Sequence, residues 1–477
     1  MLFNSFAYAL FLPTVYLLYW ALQERPLRFQ NGLLLAANYL FYGWWDYRFL
    51  LLLFANCIVD YLTALWLERE TSPRGRRFVL LVSLVANLGV LGFFKYYGFF
   101  LDSFVRLLQL FGLQPNVHVL RVILPVGVSF YTFQSLSYTI DVYRRRLRPT
   151  RDLLAFLTFH SFFPQLVAGP IERAADLLPQ VLRRRTFDVE EAKDGVRQML
   201  WGLFKKVVIA DRLGVHVDHV FRSYASLGGL DLLAGTFFFA IQIYCDFSGY
   251  TDIAIGTARL FGFRLTRNFA YPYFSRNMAE FWHRWHITLS TWFRDYVYIP
   301  LGGNRGTKWF AVRNVILTFV ISGLWHGANW TFVAWGLLNG LYYAPVMLVG
   351  EQHRYTEIVA AGRLLPSFRD ALRMAGTFSL TLLAWVFFRA DSLPIALRFL
   401  ATAFSRPYAV DPLRDYARAF VAAAAVLLVE WVQRTRPHGL AVENLPLPAR
   451  WAAYYAVTAL IFSFGDTGNV PFIYFQF

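Results

Sequence analysis

Of 477 residues, 57% are hydrophobic and only 16% are charged, against about 25% charged in soluble domains, so much of the surface must face hydrocarbon rather than water. The formal net charge of +16 would suggest nucleic acid in a soluble protein. In a membrane protein it gathers in cytoplasmic loops and meets anionic lipid, so no nucleic-acid partner is expected. The two cysteines, Cys57 and Cys245, lie inside apolar runs and build neither a disulfide framework nor a zinc ribbon.

A membrane span needs roughly 20 predominantly apolar residues. Candidate segments run near 3–22, 31–44, 48–67, 78–101, 119–140, 152–170, 196–222, 230–262, 311–325, 329–350, 371–388, 418–432 and 451–465. The pattern predicts an all-α fold: a polytopic transmembrane helical bundle of about 11–13 hydrophobic segments, some of them re-entrant or interfacial. With no long polar linker, one integral membrane domain over 1–477 is expected. The first segment lacks a basic n-region and a small-residue cleavage site and reads as a spanning helix, not a signal peptide. Arg144, Arg145, Arg146, Arg148 and Arg151 follow the fifth segment, and a further run occupies 183–185. Lys205, Lys206, Arg264, Arg267 and Arg276 add basic clusters, whereas 112–119 and 225–230 hold no Lys or Arg. The asymmetry assigns the basic loops to the cytoplasm.

Residues 264–308 are too polar to span and too aromatic for a solvated loop. The stretch EFWHRWHITLSTWFRDYVYIPLGG, 280–303, mixes Trp282, Trp285, His286, Trp292 and Phe293 with Arg284, Arg294 and Asp295. It suits a re-entrant or interfacial helix packed against protein.

Ionisable residues in apolar segments are functional hypotheses by default. His326 sits in SGLWHGANW, where a neutral imidazole can take a proton from a hydroxyl; a buried histidine satisfied by a neighbouring helix is the alternative. Gly323 and Gly327 would let another chain or a ligand approach the backbone. In a continuous helix Ser322 and Trp330 share the face of His326, with Asn329 beside it. His283 and His286 stand at i, i+3 and so can face one site, but no further metal ligands accompany them, and no metal is expected. His286 reads better as a substrate-positioning or proton-handling partner. Gln242, Asp246 and Tyr250, at i, i+4 and i+8, line one helix face. Asp246 there either orients a histidine or forms a structural ion pair with an arginine. No phosphate loop, GxSxG elbow or dinucleotide fingerprint is present.

The ordered motifs carry more than any single site. They are MLFNSFAYALFLP (1–13), FYGWWDYRFL (41–50), LPVGVSFYTFQSLSYTIDVYR (124–144), FFPQLVAGPIER (162–173), GLFKKVVIAD (202–211), QIYCDFSGYTDIAIG (242–256), the 280–305 stretch, SGLWHGANWTFVAWGLLNG (322–340), VFFRADSL (386–393) and the terminal FIYFQF (472–477). Together they resemble the bacterial branch of the membrane-bound O-acyltransferase (MBOAT) family, nearest the membrane subunits of alginate O-acetylation. Similarity is weakest around 351–375 and 405–450.

That resemblance implies a ring of helices around a thinned centre in the bacterial inner (cytoplasmic) membrane. There a cytoplasmic thioester donor, acetyl-CoA or an acyl carrier, meets an acceptor from outside. The expected outcome is O-acetylation of an extracytoplasmic polysaccharide such as alginate, with peptidoglycan, cellulose or another exopolysaccharide as alternatives. His326, in WHGA, would be the active-site histidine and His286, in RWH, its second member. On chemical grounds either Asn329 or the indole N–H of Trp325 would be the donor to the developing oxyanion, with Asp246 and Gln242 as substrate-binding positions. In related teichoic-acid systems a motif like FIYFQF lies on a separate peptide whose tyrosine is thought to carry the acyl group. Tyr474 therefore becomes the candidate carrier, or else the tail docks a partner. The implied partners are membrane lipids and a periplasmic SGNH-type acetyltransferase, with no tightly bound cofactor. The rival class is a transporter of an acyl donor, for which broken helices and midplane polar residues also suit.

Overall fold

The computed structural model describes residues 1–115, 122–406, 413–465 and 470–473, the side chains of 413–415 excepted. Among its described residues all regular structure is helical, without strands. In hydrocarbon each backbone group must be satisfied within its own segment, which a helix does. The chain divides into two compact units: 1–191 with 258–265, and 192–257 with 266–477.

The first unit holds α1 (Phe6–Ala21), α2 (Leu27–Gly43), α3 (Arg48–Arg69) and α4 (Pro73–Leu91), which runs through a π-helical turn into α5 (Tyr97–Leu110). Then come α6 (Val128–Tyr143), α7 (Leu153–His160), α8 (Phe163–Leu166) and α9 (Ala174–Val181). Local chemistry sets the starts. Ser5, Ser72 and Asp152 accept from the N–H groups of Tyr8, Gly75 and Ala155, satisfying orphan donors of the first turn. Polar groups between the helices pair with one another. Asp60 Oδ1 accepts from Ser83 Oγ at 2.9 Å and Asn87 Nδ2 at 2.8 Å, and His160 lies between Cys57 and Ser135. Arg76 donates to the carbonyls of Leu67, Glu70, Val142 and Tyr143, joining the ends of α3 and α6.

The second unit holds most of α10 (Val189–Phe204), then a π-helical turn (Lys205–Ala210), α11 (Asp211–Arg222) and most of α12 (Gly229–Leu260). The short α13 (Met278–Arg284) and α14 (Ile287–Phe293) precede the long α15 (Lys308–His326), α16 (Trp330–Leu348) and α17 (Phe368–Arg389). It ends with α18 (Leu393–Ser405), α19 (Leu413–Val432) and α20 (Leu447–Phe464). Helices α15 and α16 form a tight hairpin. A Cβ on Gly323 would collide with the Phe332 carbonyl, one on Gly336 with the Phe319 carbonyl, and one on Gly340 with Ile316. Small residues bring the two backbones together, the usual route to helix association in lipid.

Among the described residues six segments are long and apolar enough to cross a membrane: α3, α4 through α5 (Pro73–Leu110), α12, α15, α16 and α17, while α1 and α18 are apolar but shorter. The chain is thus a multi-pass membrane protein. Each expected segment is helical over most of its described length, but three are interrupted, 78–101 by the π-helical turn between α4 and α5. Residues 152–170 split at Ser161 and Phe162, just before Pro164, because proline has no N–H to continue a ladder. Residues 196–222 are interrupted by the π-helical turn that carries Lys205 and Lys206.

Candidate active site

Helix α15 stops at His326 because Gly327 turns to extended backbone. The Phe332 ring fills the space where a Cβ of residue 327 would lie. Gly323 and Gly327 therefore accommodate the returning α16, not an incoming ligand. The face expected to join Ser322, His326, Asn329 and Trp330 does not form, since no helix continues past His326. Asn329 instead caps α16: its Oδ1 accepts from Thr331 N–H at 3.1 Å and its Nδ2 donates to the Asp391 carbonyl at 2.9 Å. Trp330 is exposed. The His326 ring is 3% exposed and meets Trp325, Trp335 and Phe388 nearly edge to face, at centroid distances of 4.9, 5.0 and 5.5 Å.

The re-entrant stretch breaks at the other histidine. Trp285 ends α13 in extended backbone, and His286 takes φ +43°, ψ +56°, a left-handed conformation uncommon outside glycine. Asn268 holds it there. The Asn268 carbonyl accepts from Ile287 N–H at 2.9 Å, and its Oδ1 accepts from Thr288 N–H at 3.2 Å and Thr288 Oγ1 at 2.9 Å. The same Oδ1 lies 3.1 Å from His286 Nδ1. Because a backbone N–H marks that atom as the amide oxygen, Nδ1 carries the proton and Nε2 keeps the lone pair. Burial pushes the His286 imidazole down to about 3, so it is neutral at physiological pH.

Trp325 joins the two histidines: its ring centroid is 6.4 Å from that of His286 and 4.9 Å from that of His326. His283 does not share the site. It is exposed and stacks on His353 at 6.4 Å, because the break after α13 puts it on another surface.

Asp246 and Tyr250 do share one face of α12. Asp246 Oδ1 pairs with Lys206 Nζ at 2.7 Å, and Lys206 also reaches Asp211 at 2.8 Å. Its partner is thus a lysine, neither a histidine nor an arginine. Asp246 Oδ2 accepts from Ile473 N–H at 2.7 Å, while the Phe472 ring packs against Phe247 and Tyr250 at 5.4 and 5.0 Å. Gln242 sets its amide against Gly214 of α11. Tyr474 lies outside the described residues.

Lys205 and Lys206, expected in a cytoplasmic basic cluster, are 2% and 4% exposed. Lys205 Nζ binds Asp252 and Ser248, each at 2.7 Å. Carboxylates on α12 meet the π-helical turn and draw both ammonium groups inward. A small polar cleft borders Lys205, lined also by Asp252, Arg267, Asn268, Glu430 and His438 among others. It reaches the asparagine that fixes His286. Among the described residues no three His, Cys, Asp or Glu side chains are grouped for a metal ion.

Residues 80–376 match the membrane-bound O-acyltransferase (MBOAT) family. The chain belongs to that family. As an MBOAT protein it is an O-acyltransferase, which removes the transporter alternative. It is 42% identical to a probable alginate O-acetylase of Azotobacter vinelandii, over 85% of this chain and 78% of the relative. The same identity links it to a probable alginate O-acetylase of Pseudomonas aeruginosa, over 85% and 75%. A peptidoglycan O-acetyltransferase of Helicobacter pylori is 36% identical, over 84% and 79%. Asn268, which holds His286, and Lys206, which binds Asp246, are the structural partners to which the motifs alone assigned no such contact. Asn268 sits in an irregular stretch with no periodic signal. Lys206 and Asp211 are five apart, a spacing that aligns only where the ladder opens to i→i+5.

Proposed function

We propose that this acyltransferase moves an acetyl group from a cytoplasmic thioester, acetyl-CoA or an acetylated carrier, across a bacterial inner membrane for O-acetylation of an extracytoplasmic polysaccharide. The observation that carries the reading is the pair of buried histidines meeting at Trp325. The alginate-acetylating relatives make alginate the first acceptor to test, and the Helicobacter pylori relative makes peptidoglycan the second.

In this reading His326 accepts the proton of an acceptor hydroxyl as its oxygen attacks the thioester carbonyl. The indole N–H of Trp325 is the candidate donor to the tetrahedral oxyanion. Collapse of the intermediate breaks the C–S bond, and the thiolate leaves with the proton held on His326. His286, with its tautomer fixed, orients the acceptor through Nε2. Asn329 is the second candidate donor: its amide caps α16 and holds the Asp391 carbonyl, which leaves one Nδ2 hydrogen for an oxyanion. The first hydroxyl to be acylated is that of Tyr474, from which a periplasmic SGNH-type transferase passes the group to polymer.

The test uses detergent-purified protein and radiolabelled acetyl-CoA, comparing wild type with His326→Ala. Coenzyme A release and label on protein should both vanish in the variant. Equal release from the two proteins would reject His326 as the base.

A further inference from the structure

We propose that the α12 face bearing Asp246, Phe247 and Tyr250 is a docking site for the chain's own C-terminal segment, with Asp246 as its positioning residue. The inference deepens the acyl-carrier reading of Tyr474 and rests on it for its functional arm only.

The argument begins with charge. A buried carboxylate needs a counter-charge and hydrogen bonds. Lys206 is already paired with Asp211 at 2.8 Å, so a second carboxylate on the same ammonium leaves a net negative charge. The Ile473 N–H answers it at 2.7 Å, a charge-assisted bond of the strong kind. The backbone permits this arrangement because Gly249 of α12 lies against the Gly202 carbonyl and Lys206 N, where a side chain would push the π-helical turn away from Asp246.

Packing adds the second element. Phe472 and Ile473 are 1% and 6% exposed. Phe472 packs at a tilt on Phe247, and Phe247 stands perpendicular to His286 at 4.6 Å. One ring therefore separates the docked segment from the histidine whose tautomer Asn268 fixes. Tyr474 follows Ile473 directly in sequence, so the Asp246 bond anchors the residue next to the candidate carrier. Asp246 consequently serves the reaction by holding peptide, not by touching donor.

Hydrogen–deuterium exchange on the full-length protein in detergent tests this, with acyl-transfer kinetics measured in parallel. Asp246→Ala should speed exchange over residues 470–473 by about 10- to 100-fold, the scale of a lost charge-assisted hydrogen bond. Asp246→Asn, which keeps an acceptor oxygen, should fall between. In Asp246→Ala kcat should drop at least about 10-fold with donor KM unchanged, since donor binding is not disturbed. Unchanged exchange in Asp246→Ala overturns the docking site whatever the activity. Faster exchange with wild-type kcat upholds the docking site and overturns the carrier reading of the tail. Phe472→Ala leaves the ion cluster intact and should reproduce faster exchange and lower kcat, which guards against a folding defect at Asp246.

Discussion

His286 Nδ1 lies 3.1 Å from Asn268 Oδ1, an oxygen that also accepts two bonds from Thr288. One amide thereby fixes the tautomer, ring orientation and left-handed backbone of this histidine. Asn268→Ala should lower kcat about 10- to 100-fold, the usual cost of losing an outer partner that orients a functional imidazole. Asn268→Asp, which keeps an acceptor in place, should retain more activity than Asn268→Ala. Steady-state acyl transfer at pH 7 checks the order, and equal rates in all three proteins would remove Asn268 from the site.

The same histidine predicts an acid-sensitive fold. Burial holds the folded His286 at about 3, whereas an unfolded histidine titrates near 6.5. The folded value is depressed, so the unfolded state binds the extra proton first. The stability contribution is complete above about pH 6.5 and is lost as pH falls toward 3, at about 1.4 kcal/mol per pH unit. His286→Asn should flatten the decline in melting temperature between pH 6.5 and 4. Asparagine is the replacement of choice because it tolerates left-handed backbone better than alanine. An unchanged slope would show that other groups set the acid sensitivity.

Much of the fold was legible because apolar length is a strong signal: each expected segment is helical over most of its described length, and α12 places Asp246 and Tyr250 on one face as i, i+4 spacing requires. The ends were less legible. Gly327 is a local stop signal after His326, but the sequence does not show that Phe332 occupies the side-chain space at that position. HRWH looked like a shared face only while a continuous helix was assumed. Lys205 and Lys206 looked like a solvated cluster because their carboxylate partners lie about 40 residues away, or five residues along an irregular turn. Tertiary contacts decided each case, and the sequence carries no periodic trace of them.

The glycines of the α15–α16 hairpin give a sharper test of what positions His326. Gly323→Ala or Gly336→Ala puts a methyl group into the facing helix backbone, where relief requires the helices to part. Each should lower stability by about 1–3 kcal/mol, the cost of overpacking, and should reduce acyl transfer more than expression. Gly89→Ala and Gly376→Ala meet no atom within 4 Å and should be neutral or slightly stabilising through helix propensity. Thermal shift and activity on the four variants decide the point, and equal behaviour of the two pairs would reject the close-approach argument.

The carrier role of Tyr474 makes the last prediction, and the chemistry of leaving groups favours it. A thiol titrates near 8.5 and a phenol near 10, while a sugar hydroxyl is a weaker acid than either. Transfer from thioester to tyrosine and then to sugar thus runs toward successively poorer leaving groups, each step downhill. Tyr474→Phe removes only the nucleophilic oxygen and keeps the ring. It should abolish polymer acetylation while leaving the protein in the membrane at wild-type amount. Deleting 472–477 removes the segment altogether and should also weaken copurification with a periplasmic transferase. Mass spectrometry for an acetylated C-terminal peptide, alongside polymer acetyl content, reads both variants. Undiminished acetylation in Tyr474→Phe rejects the carrier. Unchanged copurification after the deletion rejects a docking role toward the partner and leaves the α12 face of Asp246, Phe247 and Tyr250 as the docking surface proposed for the C-terminal segment.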